Sequence, residues 1–526
     1  MSGAAAVDLP VHGVGEPRPD FPTLCAMFRH AVSTAPDAVS LRHLDAAITY
    51  REEGRAVSAL ARRLAAVAAP GEAVALLLPN SIEFRVAFFA ALEALAAPAL
   101  LNPLYPAPQL EPLLRDAAPR AVVCAPETRE TVLGLAAPLG TPEVVCLGRD
   151  ATVAELAAEP EAPPGRRNAE PGDVAALLFS GGTTGVPKAV EHTHARLVIA
   201  TRCMEYCWPT RAGGEVWLPV APFTHVYGFL QGVLAPVFAR AETVVPERFK
   251  PERVVELMER HRVTVFGGGP PAIYAGLLAA PNLAGADLSA LRVCPAGGAP
   301  LPLELMERWR RATGLEVHEG YGMTEVAPIS GTNGLTGVRP GSVGKALPCN
   351  EVQVVDLETG ARVLPPGERG EVRVRGPHMM AGYRGRPEET AQTIRGGFVH
   401  TGDIGHLDAD GFLFITDRKK DVVLVKGFNV FPREVEEAIH AHPRVAAVGV
   451  VGAPDARTGG ERLVAHVVPR AGEALAAEEI AAHLAGRLVG YKVPDDIRVV
   501  EALPMTGAQK LDRVALRRMA RESPAG

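Results

Sequence analysis

The chain has no excess of positive charge and no blocks of basic residues. Its formal net charge is −6, from 54 Lys and Arg against 60 Asp and Glu among 526 residues. Proteins that hold nucleic acid through its phosphates present a basic face, so this composition argues against nucleic acid as a main partner.

Cysteine is scarce and scattered. Only Cys203 and Cys207 lie close together, and neither a second pair nor a nearby histidine cluster accompanies them, so the spacing typical of a zinc site is absent. We expect buried free thiols in a reducing cytosol. The other cysteines are Cys25, Cys124, Cys146, Cys294 and Cys349.

Long apolar runs are also missing. The most apolar stretch, residues 86–101, is interrupted by Glu93 and Pro98 and is too short to span a bilayer. The first twenty residues lack the basic region and apolar core of a secretory signal. We therefore expect a protein without a transmembrane segment, located in the cytoplasm.

What is present is a long chain in which strand and helix patterns alternate. A length of 526 residues is too great for one hydrophobic core and predicts two or more domains. Short apolar runs at residues 73–78, 99–101 and 121–124 predict strands, with helical spacing between them. Such alternation is typical of parallel strands in an α/β fold.

One loop carries residues suited to a polyphosphate. The apolar strand pattern of residues 174–179 leads into Ser180 and then a loop rich in glycine and threonine. Glycines let backbone N–H groups approach an anion, threonine hydroxyls donate to phosphate oxygens, and a lysine neutralises charge. Ala189 after the lysine departs from the ordinary P-loop, and in isolation a mobile turn is the alternative. The loop residues are Gly181, Gly182, Thr183, Thr184, Gly185 and Lys188.

Two later glycine-rich segments complete a nucleotide pattern. A Gly-Gly-Ala turn at residues 297–299 lets a flat heterocycle approach the backbone, and Tyr321 is able to stack on its face. Thr324 and Glu325 supply the oxygen ligands that Mg²⁺ prefers. The predicted adenine-side residues are Gly297, Gly298, Ala299, Glu319, Gly320, Tyr321, Gly322 and Thr324.

Together these motifs resemble the adenylate-forming superfamily, which contains acyl-CoA synthetases, luciferases and peptide-synthetase adenylation domains. The resemblance runs from about Phe21 to Arg518. It implies an α/β fold with a large multi-sheet N-terminal AMP-binding domain, residues 1–419, that includes the acyl pocket. It also implies a small mobile α+β C-terminal lid domain, residues 420–526, with a hinge at Lys420.

The resemblance assigns further residues to the site. A lone histidine on an apolar stretch is more often a core residue, but His225 matches a segment that contacts the substrate carboxylate. Tyr227, Gly228 and Phe229 then shape the acyl pocket. Asp403 and Arg418 match the pair that binds the ribose hydroxyls.

The lid carries residues for both half-reactions. Lys510 matches the lysine that stabilises charge at the α-phosphate, although a lysine near a C-terminus is usually a solvated charge. Lys426, Gly427 and Phe428 match the region that faces the pantetheine arm. The resemblance implies that Lys510, Glu325 and His225 are the catalytic residues. It also implies that Thr184 and Glu325 bind Mg²⁺.

Three positions depart from the family pattern. Gln509 stands where glycine usually precedes the lysine, and a side chain there restricts the loop. Ala189 replaces the usual glycine after Pro-Lys, and Phe398 stands where tryptophan is common. Reduced or retuned adenylation is the expected consequence of Gln509.

The resemblance implies an ATP-dependent acyl-CoA synthetase that uses Mg²⁺ and coenzyme A. It would join a carboxylic acid, with a medium- or long-chain fatty acid preferred, to AMP with loss of pyrophosphate, and then transfer the acyl group to CoA. Aryl acids of the coumarate or benzoate kind are the alternative substrates. An acyl carrier protein is an alternative acceptor, and a homodimer is one option for the oligomeric state.

Two other classes are less favoured. A peptide-synthetase adenylation domain selects α-amino acids with an Asp in the pocket segment, where this chain has Phe223, Thr224 and His225. A nucleotide-binding protein without catalysis is suggested only by Gln509, against the intact phosphate loop, Glu325 and Lys510. Release of pyrophosphate with any acid would separate an enzyme from such a sensor.

Overall fold

The computed structural model describes residues 19–136, 140, 143–160, 162, 167–180, 187–333, 336–425, 428–455, 460–505 and 511–522. The chain divides into two compact units. Unit 1 comprises Met1–Val352 and Val374–Val399, and unit 2 comprises Gln353–Arg373 and His400–Gly526. The domain boundary after residue 419 and the hinge at Lys420 stay predictions.

Helices and strands alternate along the first part of the chain. The elements are α1 (Leu24–Thr34), β1 (Val39–His43), β2 (Ala46–Thr49), α2 (Tyr50–Val67), β3 (Ala73–Leu77), α3 (Ile82–Glu93), β4 (Ala97–Leu100), α4 (Ala107–Ala117), β5 (Ala121–Cys124), α5 (Arg129–Ala136), β6 (Glu143–Cys146), α6 (Val153–Ala158), β7 (Val174–Phe179), β8 (Ala189–Thr193), α7 (His194–Cys207), β9 (Val216–Pro219), α8 (Val226–Phe229), α9 (Ala235–Ala239), β10 (Glu242–Val245), α10 (Pro251–Arg260), β11 (Val265–Gly267) and α11 (Pro271–Ala279).

Strands become more frequent in the second part of the chain. The elements are β12 (Cys294–Gly297), α12 (Leu303–Thr313), β13 (Val317–Met323), β14 (Val326–Gly331), β15 (Lys345–Ala346), β16 (Glu351–Val355), β17 (Gly370–Arg375), β18 (Gly382–Tyr383), α13 (Pro387–Thr393), β19 (Ile394–Arg395), β20 (Phe398–Leu407), β21 (Leu413–Arg418), β22 (Val423–Val425), β23 (Phe428–Val430), α14 (Pro432–His440), β24 (Val445–Pro454), β25 (Glu461–Pro469), α15 (Ala477–Leu484), β26 (Asp496–Val499) and α16 (Arg513–Glu522).

The main sheet of unit 1 has seven strands in the order β18-β8-β7-β4-β3-β5-β6. Strands β6, β5, β3, β4 and β7 run parallel, as the alternation of strands and helices predicts. Strand β8 turns back antiparallel to β7, and β18 pairs with β8 from far along the chain. The carboxyl end of β7 therefore leads directly into the predicted phosphate loop.

Two further sheets lie in unit 1. One has the order β11-β9-β10-β1-β2, and the other β12-β13-β14-β15. Helix α3 contacts β1 of the first of these sheets as well as β3 and β4 of the seven-stranded sheet. It therefore lies between two sheets, which explains why all its residues except Glu83 are buried and why most of them are apolar.

A charged network is buried beneath α3. Arg85 and Glu53 are both fully buried, and the guanidinium donates to the two carboxylate oxygens at 2.7 and 2.8 Å. Arg85 also donates to the hydroxyls of Thr243, at 3.0 Å, and Ser40. Every oxygen in this network belongs to a buried side chain that is already hydrogen-bonded, as burial of charge requires.

Unit 2 combines strand pairs with a small α+β core. Its C-terminal sheet has the order β24-β25-β26, in which β24 and β25 are antiparallel and β25 and β26 are parallel. Helices α14 and α16 pack on β24. The predicted α+β character of the C-terminal region is confirmed by these elements.

The apolar runs at residues 262–266 and 291–294 each predict a strand, and the amphipathic spacing of residues 477–489 predicts a helix. These three elements have different ends in the structure. The strand expected at residues 291–294 is observed at Cys294–Gly297, where pairing with β13 begins. The strand expected at residues 262–266 begins at Val265, because Arg262 has a positive φ of 49°. The helix expected at residues 477–489 ends at Leu484, and Gly486 has a φ of 77°.

All seven cysteines are free, as predicted, and only Cys349 is more than slightly exposed. Among the described residues, no helix combines the length and the apolar character that crossing a membrane requires.

Candidate active site

The phosphate loop joins two paired strands. Phe179 at the end of β7 is opposite Ala189 at the start of β8, and the N–H of Ser180 donates to the carbonyl oxygen of Lys188 at 3.1 Å. The two ends of the loop are thereby fixed at one edge of the sheet. The predicted loop residues Gly181, Gly182, Thr183, Thr184 and Gly185 lie outside the described residues.

Lys188 has two partners in unit 1. Its ammonium forms an ion pair with Glu389 on α13, and it lies 4.9 Å from the centre of the Tyr383 ring. The hydrogen bond from Lys188, followed by that from Arg386, lowers the pKa of Glu389. Both charged side chains are about one-third exposed, so the ammonium lies at the surface, where it is able to exchange partners.

A second anchor holds the strand after the loop. Asp116 at the end of α4 accepts the N–H of Ala189 at 2.8 Å. Arg386 donates to the same carboxylate at 2.7 Å and also pairs with Glu389 at 3.1 Å. Asp116, Arg386, Glu389 and Lys188 therefore form a continuous charged network at the loop, which we call the loop network.

Glu325 lies in the turn between β13 and β14 and is buried, with 6% exposure. The hydroxyl of Tyr383 donates to its Oε1 at 2.7 Å, and the N–H of Met380 donates to its backbone oxygen at 2.7 Å. Burial and the adjacent carboxylate of Glu325 raise the pKa of Tyr383, so the phenol keeps its proton. Tyr383 thus touches both the lysine and the carboxylate that the sequence assigned to the site.

The same turn is supported by a buried histidine. His192 on β8 donates from Nε2 to the carbonyl oxygen of Thr324 at 2.8 Å. Burial lowers the pKa of His192 to about 4, which keeps the ring neutral at pH 7. Thr324 and Glu325 are therefore held from two sides, by β8 and by the segment that contains Tyr383.

The predicted adenine-side residues lie on neighbouring strands. Gly297 and Gly320 are opposite each other in the parallel pair β12 and β13, and Gly298 turns the chain with a φ of 81°. Glu319 is buried, and its Oε1 accepts the N–H of Leu301 at 3.2 Å. This carboxylate therefore fixes the turn that contains Ala299.

Tyr321 and Gly322 occupy the last part of β13. The Tyr321 ring is partly buried and packs against the apolar cluster that contains Val326 and Val374. A Cβ on Gly322 would approach Ala327 at 3.1 Å, so the two strands lie close together here. The site positions at residues 319–325 therefore follow one continuous hairpin.

The predicted acyl-pocket residues surround the start of α8. The N–H of Tyr227 donates to Nδ1 of His225 at 3.3 Å, so Nε2 carries the proton of the neutral ring. The Tyr227 hydroxyl donates to the carbonyl oxygen of Pro295 at 3.1 Å. A Cβ on Gly297 would lie 3.0 Å from the Tyr227 ring, so the pocket segment directly adjoins the Gly-Gly-Ala turn.

Close packing fixes the rest of this segment. A Cβ on Gly228 would lie 2.1 Å from the carbonyl oxygen of Pro222, so only glycine fits there. Phe229 is fully buried and meets Phe88 of α3 edge to face, with 5.0 Å between ring centres. A π-helical turn, Leu230–Leu234, follows immediately, a feature that is frequent at functional sites.

Unit 2 contains the predicted ribose pair. Asp403 on β20 and Arg418 on β21 are opposite each other, and Nε of Arg418 lies 3.2 Å from Oδ1 of Asp403. Asp403 is buried, whereas the arginine side chain is 49% exposed. The sequence prediction that these two residues act together is consistent with this pairing, while their ligand stays a prediction.

The other lid residues are only partly described. Lys420 follows β21, and partial desolvation with the nearby Arg418 lowers its pKa to about 8. Phe428 is 55% exposed and stacks on Tyr491, with 4.6 Å between ring centres. Lys426, Gly427, Gln509 and Lys510 lie outside the described residues.

Sequence reasoning missed the residues that position the site. Tyr383, Arg386, Glu389 and Asp116 contact the phosphate-loop lysine or its strand, or the Glu325 turn, yet none stands in a recognised motif. The only local signal is the Gly-Tyr-Arg run at residues 382–384, which ends a glycine-rich stretch.

Comparison with known proteins agrees with this geometry. The AMP-binding enzyme model matches residues 28–384, and the AMP-binding enzyme C-terminal domain model matches residues 434–510. A long-chain-fatty-acid–CoA ligase of Bacillus subtilis is 38% identical over 343 residues, which are 65% of this chain and 61% of that ligase. A feruloyl-CoA synthase of Amycolatopsis sp is 36% identical over 491 residues, 92% of this chain and 96% of the synthase.

A solved structure gives the same result. ATP-bound MatB from Rhodopseudomonas palustris is similar with a TM-score of 0.87 and 30% identity, over 95% of this chain and 99% of that chain. The resemblance inferred from the motifs is thereby confirmed, as is the expected α/β fold with a large N-terminal and a smaller C-terminal domain. The chain therefore belongs to the AMP-binding enzyme family, in its branch of acyl- and aryl-CoA ligases.

Proposed function

We propose that the protein activates an apolar carboxylic acid as its acyl-adenylate and then forms the CoA thioester, with a medium- or long-chain fatty acid as substrate. The observation that carries this proposal is the contact of Tyr383 with both Lys188 and Glu325. This contact brings Lys188 next to the carboxylate of Glu325, in the turn between β13 and β14.

The first half-reaction needs an anion to attack an anion. A carboxylate oxygen must approach the α-phosphate of ATP, and pyrophosphate must leave, so the enzyme has to offset charge. Lys188 is proposed as one cation for the phosphates. Its ion pair with Glu389 is partly exposed to solvent, so a ligand is able to replace Glu389. Lys510 is proposed as the second cation, at the α-phosphate.

His225 is proposed to orient the acid. Its Nδ1 is engaged by the backbone of Tyr227, so the protonated Nε2 is the nitrogen suited to donate to a carboxylate oxygen. Tyr227 in turn adjoins Gly297, where the nucleotide is proposed to bind. The acid and the nucleotide would thus occupy neighbouring parts of unit 1.

The carboxylate of Glu325, in the turn between β13 and β14, suits Mg²⁺. Glu325 offers a buried carboxylate whose orientation is fixed by the Tyr383 hydroxyl, and oxygen is the ligand atom that this ion prefers. Glu325 and Thr184 would hold the ion. When bound, it supplies neutralisation of the polyphosphate charge.

The second half-reaction is assigned to the lid. A thiol must reach the carbonyl carbon after pyrophosphate has left, and a hinge at Lys420 would exchange one lid orientation for another. The exposed Phe428, together with Lys426 and Gly427, is proposed to face the pantetheine arm. Asp403 and Arg418 are proposed to hold the ribose hydroxyls through both steps.

The pocket segment favours an apolar acid. Residues 221–233 contain no Lys, Arg, Asp or Glu, so a second charge on the substrate would be buried without a partner there. A fatty acid meets this condition. An aryl acid also meets it, and the nearly full-length similarity to a feruloyl-CoA synthase supports that second candidate.

The test is pyrophosphate release by the purified protein with ATP and a panel of fatty, branched and aryl acids, run with and without CoA. Turnover that needs a fatty acid and CoA would support the proposal, and turnover limited to aryl acids would transfer it to the second candidate. Release without CoA dependence would indicate a carrier protein as acceptor. ATP binding without release for any acid would contradict an active ligase and make Gln509→Gly the first reversion.

A further inference from the structure

Three donor atoms from distant parts of the chain meet inside unit 1. Cys203 lies near the end of α7, Cys349 between β15 and β16, and His378 between β17 and β18. The two sulfurs are 3.4 Å apart, and one donor atom from each of the three residues lies within 4.8 Å of the others. Among the described residues, these three form the one group of histidine, cysteine or acidic side chains close enough together to hold a metal ion.

The orientation of His378 is that of a metal ligand. Its Nε2 donates to the carbonyl oxygen of Pro328 at 2.7 Å, so the ring proton is on Nε2 and Nδ1 carries the lone pair. The residue is only 1% exposed, and its Nδ1 has no hydrogen-bond partner among the described residues. Metal-binding histidines almost always donate their second nitrogen to a carbonyl or carboxylate in this manner.

The spacing of the sulfurs suits zinc better than a disulfide. Two thiolates bound to one tetrahedral zinc at about 2.3 Å are separated by about 3.8 Å, close to the observed contact. A disulfide would bring them to about 2.05 Å.

The donor set and its access also fit. Two sulfurs and one imidazole nitrogen form the soft set typical of zinc, and a water molecule commonly supplies the fourth ligand in sites of three protein residues. Cys349 is partly exposed, whereas Cys203 and His378 are buried. The ion would therefore enter from the side of Cys349.

We propose that Cys203, Cys349 and His378 form a zinc-binding site in unit 1. Binding releases the thiol protons to solvent and leaves the oxidation state of sulfur unchanged. The site would tie α7 to the segment that continues through Met380 and Tyr383 to the Glu325 turn. Arg196 of α7 already donates to the carbonyls of Met379 and Met380, so zinc would strengthen an existing connection.

The sequence alone did not suggest this site. Cys203 and Cys207 are neighbours along α7, but neither a second pair nor a nearby histidine cluster accompanies them, so their spacing does not predict zinc. The fold instead pairs Cys203 with Cys349, which lies 146 positions further along the chain. Cys207 is buried on the same helix but is outside the group, which makes it a matched control.

The experiment uses untagged, full-length protein purified under reducing conditions. Zinc content after dialysis is measured by plasma mass spectrometry, and zinc affinity by competition with a chromophoric chelator. We expect about one zinc per chain, with affinity at least about 100-fold weaker in Cys349→Ser and His378→Gln. Cys207→Ala should bind as the unchanged protein does, and equal binding by all four proteins would overturn the proposal.

Two measurements on the unchanged protein keep the test decisive if a variant does not fold. Co²⁺ in place of zinc should give the thiolate-to-metal charge-transfer absorption that sulfur ligands produce. Saturating zinc should slow alkylation of Cys349 by iodoacetamide at least about tenfold, because a coordinated thiolate is shielded. Unchanged alkylation, or a Cys203–Cys349 disulfide that blocks zinc uptake in anaerobically purified protein, would contradict the site.

Discussion

Unit 1 contains two networks of charged side chains that differ in how completely they are closed. In the network of Arg85, Glu53, Ser40 and Thr243, every side chain is fully buried and every charged group has partners inside the protein. In the loop network, Lys188 and Glu389 are each about one-third exposed. The first network has no group left to bind a ligand, whereas Lys188 of the second is exposed enough to take the phosphate partner proposed for it.

The two networks differ in burial more than in charge, and burial decides what the loss of one partner costs. Removal of one partner from a closed network leaves a charge without water, which costs several kcal/mol. Removal of one partner from an open network costs little, because solvent replaces it. The variants below test this difference, in order of decreasing expected effect.

Arg85→Met should give the largest effect, a loss of about 3–5 kcal/mol in the free energy of unfolding, because Glu53 is left buried without its cation. Unfolding in guanidinium chloride, followed by fluorescence, measures this free energy. Arg51→Met is the control, since its pair with Asp37 is exposed and should cost less than about 1 kcal/mol. Equal losses for the two variants would contradict the distinction between closed and open pairs.

Protonation of His194 should give the next effect. Burial lowers the pKa of His194 to about 4, and its Nδ1 accepts the N–H of Leu24 at 3.2 Å. Because the folded-state pKa lies below the unfolded value of about 6.5, the unfolded state binds more protons between these values. The contribution is fully present above pH 6.5 and is lost as the pH falls towards 4, by about 3 kcal/mol.

The check on this effect is the free energy of unfolding measured from pH 7.5 to pH 4.5. His194→Asn keeps an acceptor but does not titrate, so its curve should fall less steeply than that of the unchanged protein. Parallel curves for the two proteins would show that His194 does not carry the acid sensitivity.

Lys188→Ala should reduce kcat/KM for adenylation on the order of 100-fold, because it removes the cation that we propose for the transferring phosphates. Its stability should change by less than about 1 kcal/mol, since the pair with Glu389 is partly solvated. Pyrophosphate release gives the first quantity and denaturant unfolding the second. Glu389→Gln is the matched control, and it should leave kcat within about threefold; a loss as large as that of Lys188→Ala would assign the network itself to catalysis.

Tyr383→Phe should have the smallest effect, a decrease in kcat of about tenfold, because the ring near Lys188 stays while the hydroxyl to Glu325 is lost. The response to Mg²⁺ concentration distinguishes this role from general destabilisation. We expect the half-saturating Mg²⁺ concentration to rise in Tyr383→Phe, and an unchanged value would remove Tyr383 from the positioning of Glu325.

Much of the fold was predictable because local patterns and tertiary structure agree. The apolar run before the phosphate loop, residues 174–179, is a strand of the main sheet, and Pro432 begins α14 as its fixed φ favours. Where the predicted ends of elements were wrong, the backbone conformation of single residues explains the difference. Gly486 and Arg262 adopt positive φ values that ended a helix early and delayed a strand.

The sequence points to candidate-site residues only where they stand in compact motifs. Asp403 and Arg418 are close in sequence and meet on paired strands, so one hairpin explains both. Tyr383 and Asp116 reach the site through pairing of β18 with β8 and through the end of α4, contacts that join distant parts of the chain. No periodicity or local propensity records such contacts, and the same is true of the Cys203 and Cys349 pair.

The late strand β18 also bears on synthesis of the chain. Until residues 382 and 383 have emerged, β8 is an uncovered edge of a seven-stranded sheet whose other members precede residue 194. Uncovered edges recruit strands from other molecules, and slow non-local pairing extends the time during which they do so. A nascent or truncated chain that ends before β18 would therefore aggregate through β8, and expression of such fragments will depend on chaperones that shield this edge.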